Sequence, residues 1–505
     1  GGAASNRFAG SKVSMLAARA VLIALIAPAS ACEMMGTTQG TSMGTRVAAA
    51  KCVSLDGGGW SLQASNGTEM ASNVSVPTDA HGALLAAGVI DDPYFRFNDA
   101  RYAWVASESW TFSRPLPTAE LLRVTGDLET SAGQWALVCE GLQTMARVTL
   151  GGVELGRVDN QYRRWSWPLP TEMSPAPALG APMLALEFKS VLPLGSAHDI
   201  GHCNGGQPQS LRQEYLSWGN DGVEDYAQMV PPLPQGPWLS TYLVWSSAAS
   251  PTIVDVVTQV TPTGGMPSAR LSDRSNAFTV NATVHLNASH ATAGTLKISG
   301  NWSKEAVEGV STRIAFTAAG TQAVSVVLEA MNVALWWPNT YGAQPRYSLT
   351  AEFTSDSGES NTTTPSVHTS RLIGFRTIAF VNQMYTEAGT DAGFTGTPRL
   401  FYKVNGVPIF VRGANVVTLD VLESRVTAAR YRNLLESARD AHFQIVRVNG
   451  DANYMKVTSS AFGLYICHVQ LQIVPDSGCG SSCFAGRILR PVRRAWHHDS
   501  LRNDV

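Results

Sequence analysis

The sequence predicts a multi-domain, mainly β protein: a jelly-roll β-sandwich, then an immunoglobulin-like β-sandwich, then the truncated start of a parallel (β/α)8 barrel. Three observations carry this expectation. Short Val/Thr/Ser-rich runs are punctuated by 45 Gly and 26 Pro, a pattern of many strands and turns rather than of helical bundles. Asn405-Gly406 separates two strand-like runs, Phe401 to Val404 and Val407 to Val411, and Asn-Gly is the preferred pair where a two-residue hairpin turn needs positive φ. Behind it, a helix-patterned stretch leads to Ile445-Val446-Arg447-Val448; strand, helix and strand in succession make the βα unit of parallel α/β domains.

The length of 505 residues, with 44% hydrophobic and 15% charged, suits two to four globular domains. Residues 1–31 read as an extension and a signal peptide. Met15 and Arg19 precede the apolar run Ala20 to Ala27, and Ala29-Ser30-Ala31 has the small-residue cleavage pattern. That run is too short for a bilayer core, which takes about 20 residues, and no later run is long and apolar enough to span one.

Residues 47–247 are assigned to the jelly roll. Arg147 to Leu150, Gly151-Gly152 and Val153 to Leu155 give a hairpin, with Leu137-Val138 and Leu184 to Phe188 as further strands. Residues 248–385 are assigned to the second sandwich, on the alternating runs Thr279 to Leu286, Thr295 to Ser299, Ala323 to Leu328 and Tyr347 to Phe353. After the Gly/Thr-rich linker Thr386 to Pro398, residues 398–454 hold the barrel start. Asp420-Val-Leu-Glu423 has capping-box spacing, and Ala428, Tyr431, Leu435, Ala438 and His442 form one helix stripe. Residues 455–505 follow no period and are left unassigned, read as a non-homologous tail.

A net charge of -2 gives no electrostatic footprint for nucleic acid. Six N-x-S/T sequons, at Asn66, Asn73, Asn281, Asn287, Asn301 and Asn361, fit a glycoprotein of the secretory pathway, lysosomal, vacuolar or extracellular. The seven cysteines define no disulfide framework. Cys479 and Cys483 with His497 and His498 match no zinc spacing, so neither metal nor cofactor is expected.

Several stretches narrow the reading: Asp92-Pro-Tyr-Phe-Arg-Phe-Asn-Asp99 with Trp104 and Trp110, Cys139-Glu-Gly-Leu142 through Trp165, Trp336-Trp-Pro-Asn-Thr-Tyr-Gly342, Ile373-Gly-Phe-Arg376, and Phe401 to Asn415. On these the chain resembles the lysosomal-type β-mannosidases of glycoside hydrolase family 2, whose first domain is galactose-binding-like. The resemblance implies an exo-acting, retaining hydrolase that removes terminal non-reducing β-mannose from oligosaccharides. Such chemistry uses two carboxyl groups about 5 Å apart, in the family two glutamates, the acid within an Asn-Glu pair. No Asn-Glu pair occurs here. A full barrel takes about 250 residues and 105 remain from Phe401, so no catalytic residue is assigned and the chain by itself is expected to be inactive.

Substrate-binding positions carried over by the resemblance are Arg447, Trp218, Asp221, Asn415 and Asp420. Arg447 matches an arginine at a strand end, with Asn449 where the family has Trp. Trp218 and Asp221 fall at a sugar-contacting loop whose pattern is interrupted before Gly236-Pro237-Trp238. Asn415 and Asp420 follow the first barrel strand, where turn and cap roles compete. Two other readings stay open: a non-catalytic carbohydrate-binding protein using Trp104, Trp110, Trp165 and Trp167, and another family 2 glycosidase, a β-galactosidase or β-glucuronidase.

Overall fold

The computed structural model describes residues 51–448 except 126–132, 162, 171–180, 191–201, 205–206, 209–233, 274, 303–308, 357–365, 385–397, 417–418 and 421. Trp218, Asp221, Asn361, the leader and the 455–505 tail therefore lie outside the described residues.

The first sandwich begins with strands β1 (Lys51–Ser54), β2 (Gly57–Ala64) and β3 (Glu69–Val76), then helix α1 (Ala80–Ala86). Two short helices, α2 (Asn98–Arg101) and α3 (Ala103–Ser107), lead to β4 (Trp110–Pro115) and helix α4 (Thr118–Thr125). There follow β5 (Gly133–Cys139), β6 (Ala146–Leu150), β7 (Val153–Val158), β8 (Trp165–Pro168) and β9 (Met183–Phe188). A small hairpin, β10 (His202–Asn204) with β11 (Gln207–Pro208), precedes the closing strand β12 (Thr241–Ser247). One sheet runs β3-β2-β4-β9-β6-β7 and faces another, β1-β12-β5-β8.

Alternation dictates this packing. On β4, Trp110 and Phe112 are fully buried while the alternate residues Thr111 and Ser113 are not. Trp60, Trp110, Phe112 and Phe188 fill the space between the sheets together with Trp135 and Trp245, whose rings lie 5.4 Å apart. The Gly151-Gly152 hairpin forms with Leu150 opposite Val153, and φ of 55° and 85° at its two glycines, as a tight turn matched to strand twist demands.

The second sandwich packs β13 (Thr252–Pro262), β14 (Ala277–Ala288) and β17 (Gly320–Met331) against β15 (Thr292–Gly300), β16 (Val310–Phe316), β18 (Tyr347–Ser355) and β19 (Ser366–Ile373). Strand β14 alternates half-buried and buried over all twelve residues. Phe375, fully buried, is the hub of this core, with the rings of Phe278, Trp302 and Tyr347 at 5.4, 5.6 and 5.4 Å.

Strand β20 (Ile378–Met384) pairs with β21 (Pro398–Val404), and β21 with β22 (Val407–Ile409), all antiparallel. Here the structure departs from the sequence expectation. The Asn405-Gly406 hairpin forms, with φ of 50° and 78°, but it does not open a barrel. Val404 and Ile409 are buried in the second sandwich's core, and Tyr402, Val407 and Val411 pack on it.

The parallel unit starts one strand later, at β23 (Gly413–Val416), runs through α5 (Ala428–Asp440) and ends in β24 (Ile445–Val448). Its small core is Ala438 and Val446, with Val416, Leu435 and Phe443 against them. Two corrections concern α5. Its cap is Thr427, whose Oγ1 accepts from the Arg430 amide at 3.3 Å, so Asp420-Val-Leu-Glu423 caps no α-helix; it leads into a 3-10 turn at Glu423–Arg425. His442 lies past the helix end with φ of 59°. The Phe443 amide donates to Ala438 and the His442 amide to Arg439, both at 2.9 Å, a Schellman ending that puts His442 on the outside rather than on the buried stripe.

Candidate functional site

The two parallel strands are in register with Gly413 opposite Ile445 and Asn415 opposite Arg447. Asn415 and Arg447 therefore stand side by side near the carboxyl ends of neighbouring strands, where parallel α/β folds collect their functional groups. Asn415 is exposed. This is the one place in the described structure where two of the sequence-nominated residues are brought together.

Asp420, four residues past the end of β23, has another task. Its carboxylate accepts from the Tyr94 hydroxyl, from Arg430 Nη1 at 2.6 Å and from the Leu422 amide at 3.0 Å, and Arg425 Nε lies 3.5 Å away. Its side chain is 2% exposed. Arg425 also stacks over the Tyr94 ring at 5.0 Å and reaches Asp92 at 3.7 Å. Burial first, and then the hydrogen bond to Asp420, raise the Tyr94 phenol above its ordinary range and keep it a neutral donor. Beside it Ser424 donates to Asp79, whose other oxygen accepts from the Gly82 amide at 3.0 Å as the cap of α1.

These contacts give Asp420 a structural task. The oxygens are taken up by protein donors, and the residue fastens the loop after β23 to the first sandwich. Tyr94, Arg425, Arg430, Asp79 and Ser424 were not nominated. The only signal for them was that Tyr94 sits within the Asp92 to Asp99 stretch.

A second junction supports the βα unit from below. Asn405, fully buried, donates from Nδ2 to Trp336 O at 3.0 Å and accepts the Thr377 amide on Oδ1 at 2.9 Å. The Arg376 guanidinium stacks 4.5 Å over Trp336. Asn339 donates to Arg439 O and Phe443 O at 2.9 and 3.2 Å, and Tyr341 exchanges hydrogen bonds with the Phe410 backbone at 3.2 Å. The Trp336 to Gly342 and Ile373 to Arg376 stretches thus position the strand ends rather than bind at them.

The proposed aromatic sugar platform does not assemble either. Trp110 is completely buried and Trp104 leans on it at 6.0 Å. Trp165 and Trp167 stack on each other, 6° from parallel at 6.1 Å, and pack on the core.

Comparison with known proteins relates the chain to glycoside hydrolases. Residues 60–238 match the family described as glycosyl hydrolase 2 galactose-binding domain-like. Beta-mannosidase A of Emericella nidulans is 28% identical over 490 residues, covering 89% of this chain and 47% of the relative. Beta-mannosidase of Rattus norvegicus is 25% identical over 423 residues, covering 79% and 42%. Among solved structures, a β-D-mannosidase from Dictyoglomus thermophilum superposes with a TM-score of 0.62 at 21% identity, over 83% of this chain and 47% of that one. A β-glucuronidase from Bacteroides uniformis shares the fold, with a TM-score of 0.51 at 11% identity over 82% and 41%. The chain spans about half the length of the curated relatives it matches, 45% and 47% for two of them.

Proposed function

As a β-mannosidase relative in glycoside hydrolase family 2, the chain, we propose, belongs to an enzyme that removes terminal non-reducing β-mannose from oligosaccharides with retention of configuration. The observation that carries this reading is the parallel strand pair that sets Asn415 beside Arg447 at its carboxyl end, held on two sandwiches. At such a position an arginine favours the ionised form of a nucleophilic carboxylate, and an asparagine offers an amide to a sugar hydroxyl. Trp218 and Asp221 are proposed to complete the mannose contacts.

Retaining chemistry needs a carboxyl pair about 5–5.5 Å apart, one a nucleophile and the other an acid and then a base. With no Asn-Glu pair in the sequence, this chain is assigned the binding and supporting part of that machinery. The test is release of p-nitrophenol from its β-D-mannopyranoside, comparing this chain with a form extended downstream through an Asn-Glu pair and a second glutamate. Hydrolysis by the extended form alone supports the reading. An extended form that cleaves the β-galactoside or β-glucuronide and leaves the β-mannoside intact overturns the substrate assignment.

We also propose passage through the secretory pathway. Cys52 in β1 is disulfide-bonded, which suits an oxidising compartment, and the sequon asparagines Asn66, Asn73 and Asn301 are exposed. Peptide mapping after glycosidase treatment checks their occupancy.

A further inference from the structure

We propose that the outer face of the six-stranded sheet binds an acidic saccharide, its charged group held between Arg147, Arg157 and Lys189. The site is built by register. Across five adjacent strands, Gln63 stands opposite Thr111, Thr111 opposite Glu187, Glu187 opposite Arg147, and Arg147 opposite Arg157. With strands about 4.8 Å apart, this makes one continuous polar row across the face that the core does not use. Over it opens a cavity of about 490 Å3, within the roughly 300–1,000 Å3 of small-ligand sites.

The chemistry of the lining selects the ligand. Three cations, Arg147, Arg157 and Lys189, meet one carboxylate, Glu187, and that carboxylate is already clasped by Arg147 through contacts of 2.7 to 3.0 Å. Two further carboxylates stand outside the lining, one of them paired with a cation of the site. Glu154 pairs with Arg157 at 2.9 Å, and Glu108 accepts the Ser65 and Ser109 amides at 3.1 and 2.9 Å. Lys189 is exposed and has no carboxylate within 4.0 Å among the described residues. Like charges directly opposite each other on neighbouring strands are unfavourable; Glu187 and Glu154 each offset one of the two arginines, and Lys189 adds the cation that has no such partner. Ser65, Ser109 and Thr111 line the same cavity, and the side chains of Val158 and Phe188 are buried in the core beneath it. Cationic donors for an oxyanion beside hydroxyl-bearing residues for a polyol describe a uronic-acid or sulfated sugar rather than a bare ion.

The site is independent of the hydrolase reading, since binding is measured on this chain without turnover. The probes for titration calorimetry are the unsulfated chondroitin disaccharide, its neutral methyl ester, and inorganic sulfate. Binding of the disaccharide, with the ester weaker by about tenfold or more and affinity falling as salt rises, is the expected result. The R157Q/K189Q double variant, changed only at exposed positions and checked for an unaltered melting curve, is expected to lose about tenfold, and Thr111→Val to lose a smaller factor. Equal binding of acid and ester, no binding of the acid up to about 10 mM, equivalent to about 2.7 kcal/mol, or full affinity in the double variant overturns the proposal. Sulfate binding as tightly as the disaccharide overturns its saccharide part.

Discussion

At Asp420 one carboxylate serves Tyr94, Arg430, Arg425 and the Leu422 amide at once. Asp420→Asn keeps the shape but removes the carboxylate from Arg430 and leaves Arg425 with Asp92 alone, and is expected to cost about 2–3 kcal/mol in urea unfolding. Asp440→Asn, in the exposed pair with Arg439, should leave the midpoint where it was. Cys139 makes a second residue-level prediction. Its thiol is fully buried and desolvation pushes its pKa up to about 12 from 9.0. The unfolded chain loses this proton first, so it binds fewer protons than the native state as pH rises, and the Cys139 contribution to stability declines from about pH 9 toward pH 12. Native protein should therefore resist iodoacetamide at this cysteine at pH 8 and be alkylated on unfolding, as read by mass spectrometry. The role of Asp420 was not legible in the sequence. Asp-x-x-Glu is a sound local signal for a helix cap, whereas what decides the residue's use is a tyrosine 326 positions earlier, which no local spacing encodes.

Elements were most legible where a turn demands a particular residue. Both two-residue hairpins follow from their Gly-Gly and Asn-Gly pairs, yet the two turns differ in surroundings. An added Cβ on Gly152 meets nothing within 4 Å, whereas on Gly406 it falls 1.9 Å from the Ala269 carbonyl oxygen. Gly152→Ala should cost about 1 kcal/mol from positive φ alone, and Gly406→Ala about 3 kcal/mol or more, because backbone must move as well; thermal melts of the pair test this. At the end of α5 the Schellman turn uses His442 at φ of 59° where glycine is the better fit. His442→Gly is expected to raise stability by about 0.5–1 kcal/mol, and a fall instead would assign the imidazole a packing role. The Asn-Gly hairpin was read correctly as a hairpin and wrongly as the start of the parallel sheet. Its alternation conveys that one face is buried, but not against which domain.

For the whole molecule, composition and strand patterning were enough to predict a mainly β, multi-domain chain, because each strand's alternation must match a buried face. How the domains join was hidden, since the joints are made by polar residues whose partners are far off in sequence. The joint between the sandwiches is clearest at Arg164. It is held at 3.0 Å by Glu140, which also accepts from Tyr242 at 2.6 Å, and it donates to Val254 O on β13 at 2.8 Å. The adjoining Glu140 carboxylate holds the guanidinium protonated, above its ordinary range, against the opposing effect of burial. Arg164→Leu removes the link and strands Glu140, which is 8% exposed, so a loss of about 3 kcal/mol is expected. In calorimetry the transition of the first sandwich should move down and separate from that of the second. One unsplit transition at the wild-type temperature would show that the joint couples nothing.

The pairing of β1 with β12, Lys51 opposite Trp245 and Ser54 opposite Tyr242, also sets an order of events on the ribosome. At roughly 5–20 residues per second, a strand made at the outset waits on the order of ten to forty seconds for its neighbour to be synthesised. Until then Val53 and Leu55, both buried once folded, sit on a strand without its pairing partner. Nascent chains halted before residue 241 should accordingly be open to protease and dependent on chaperones, and those released after residue 247 should not.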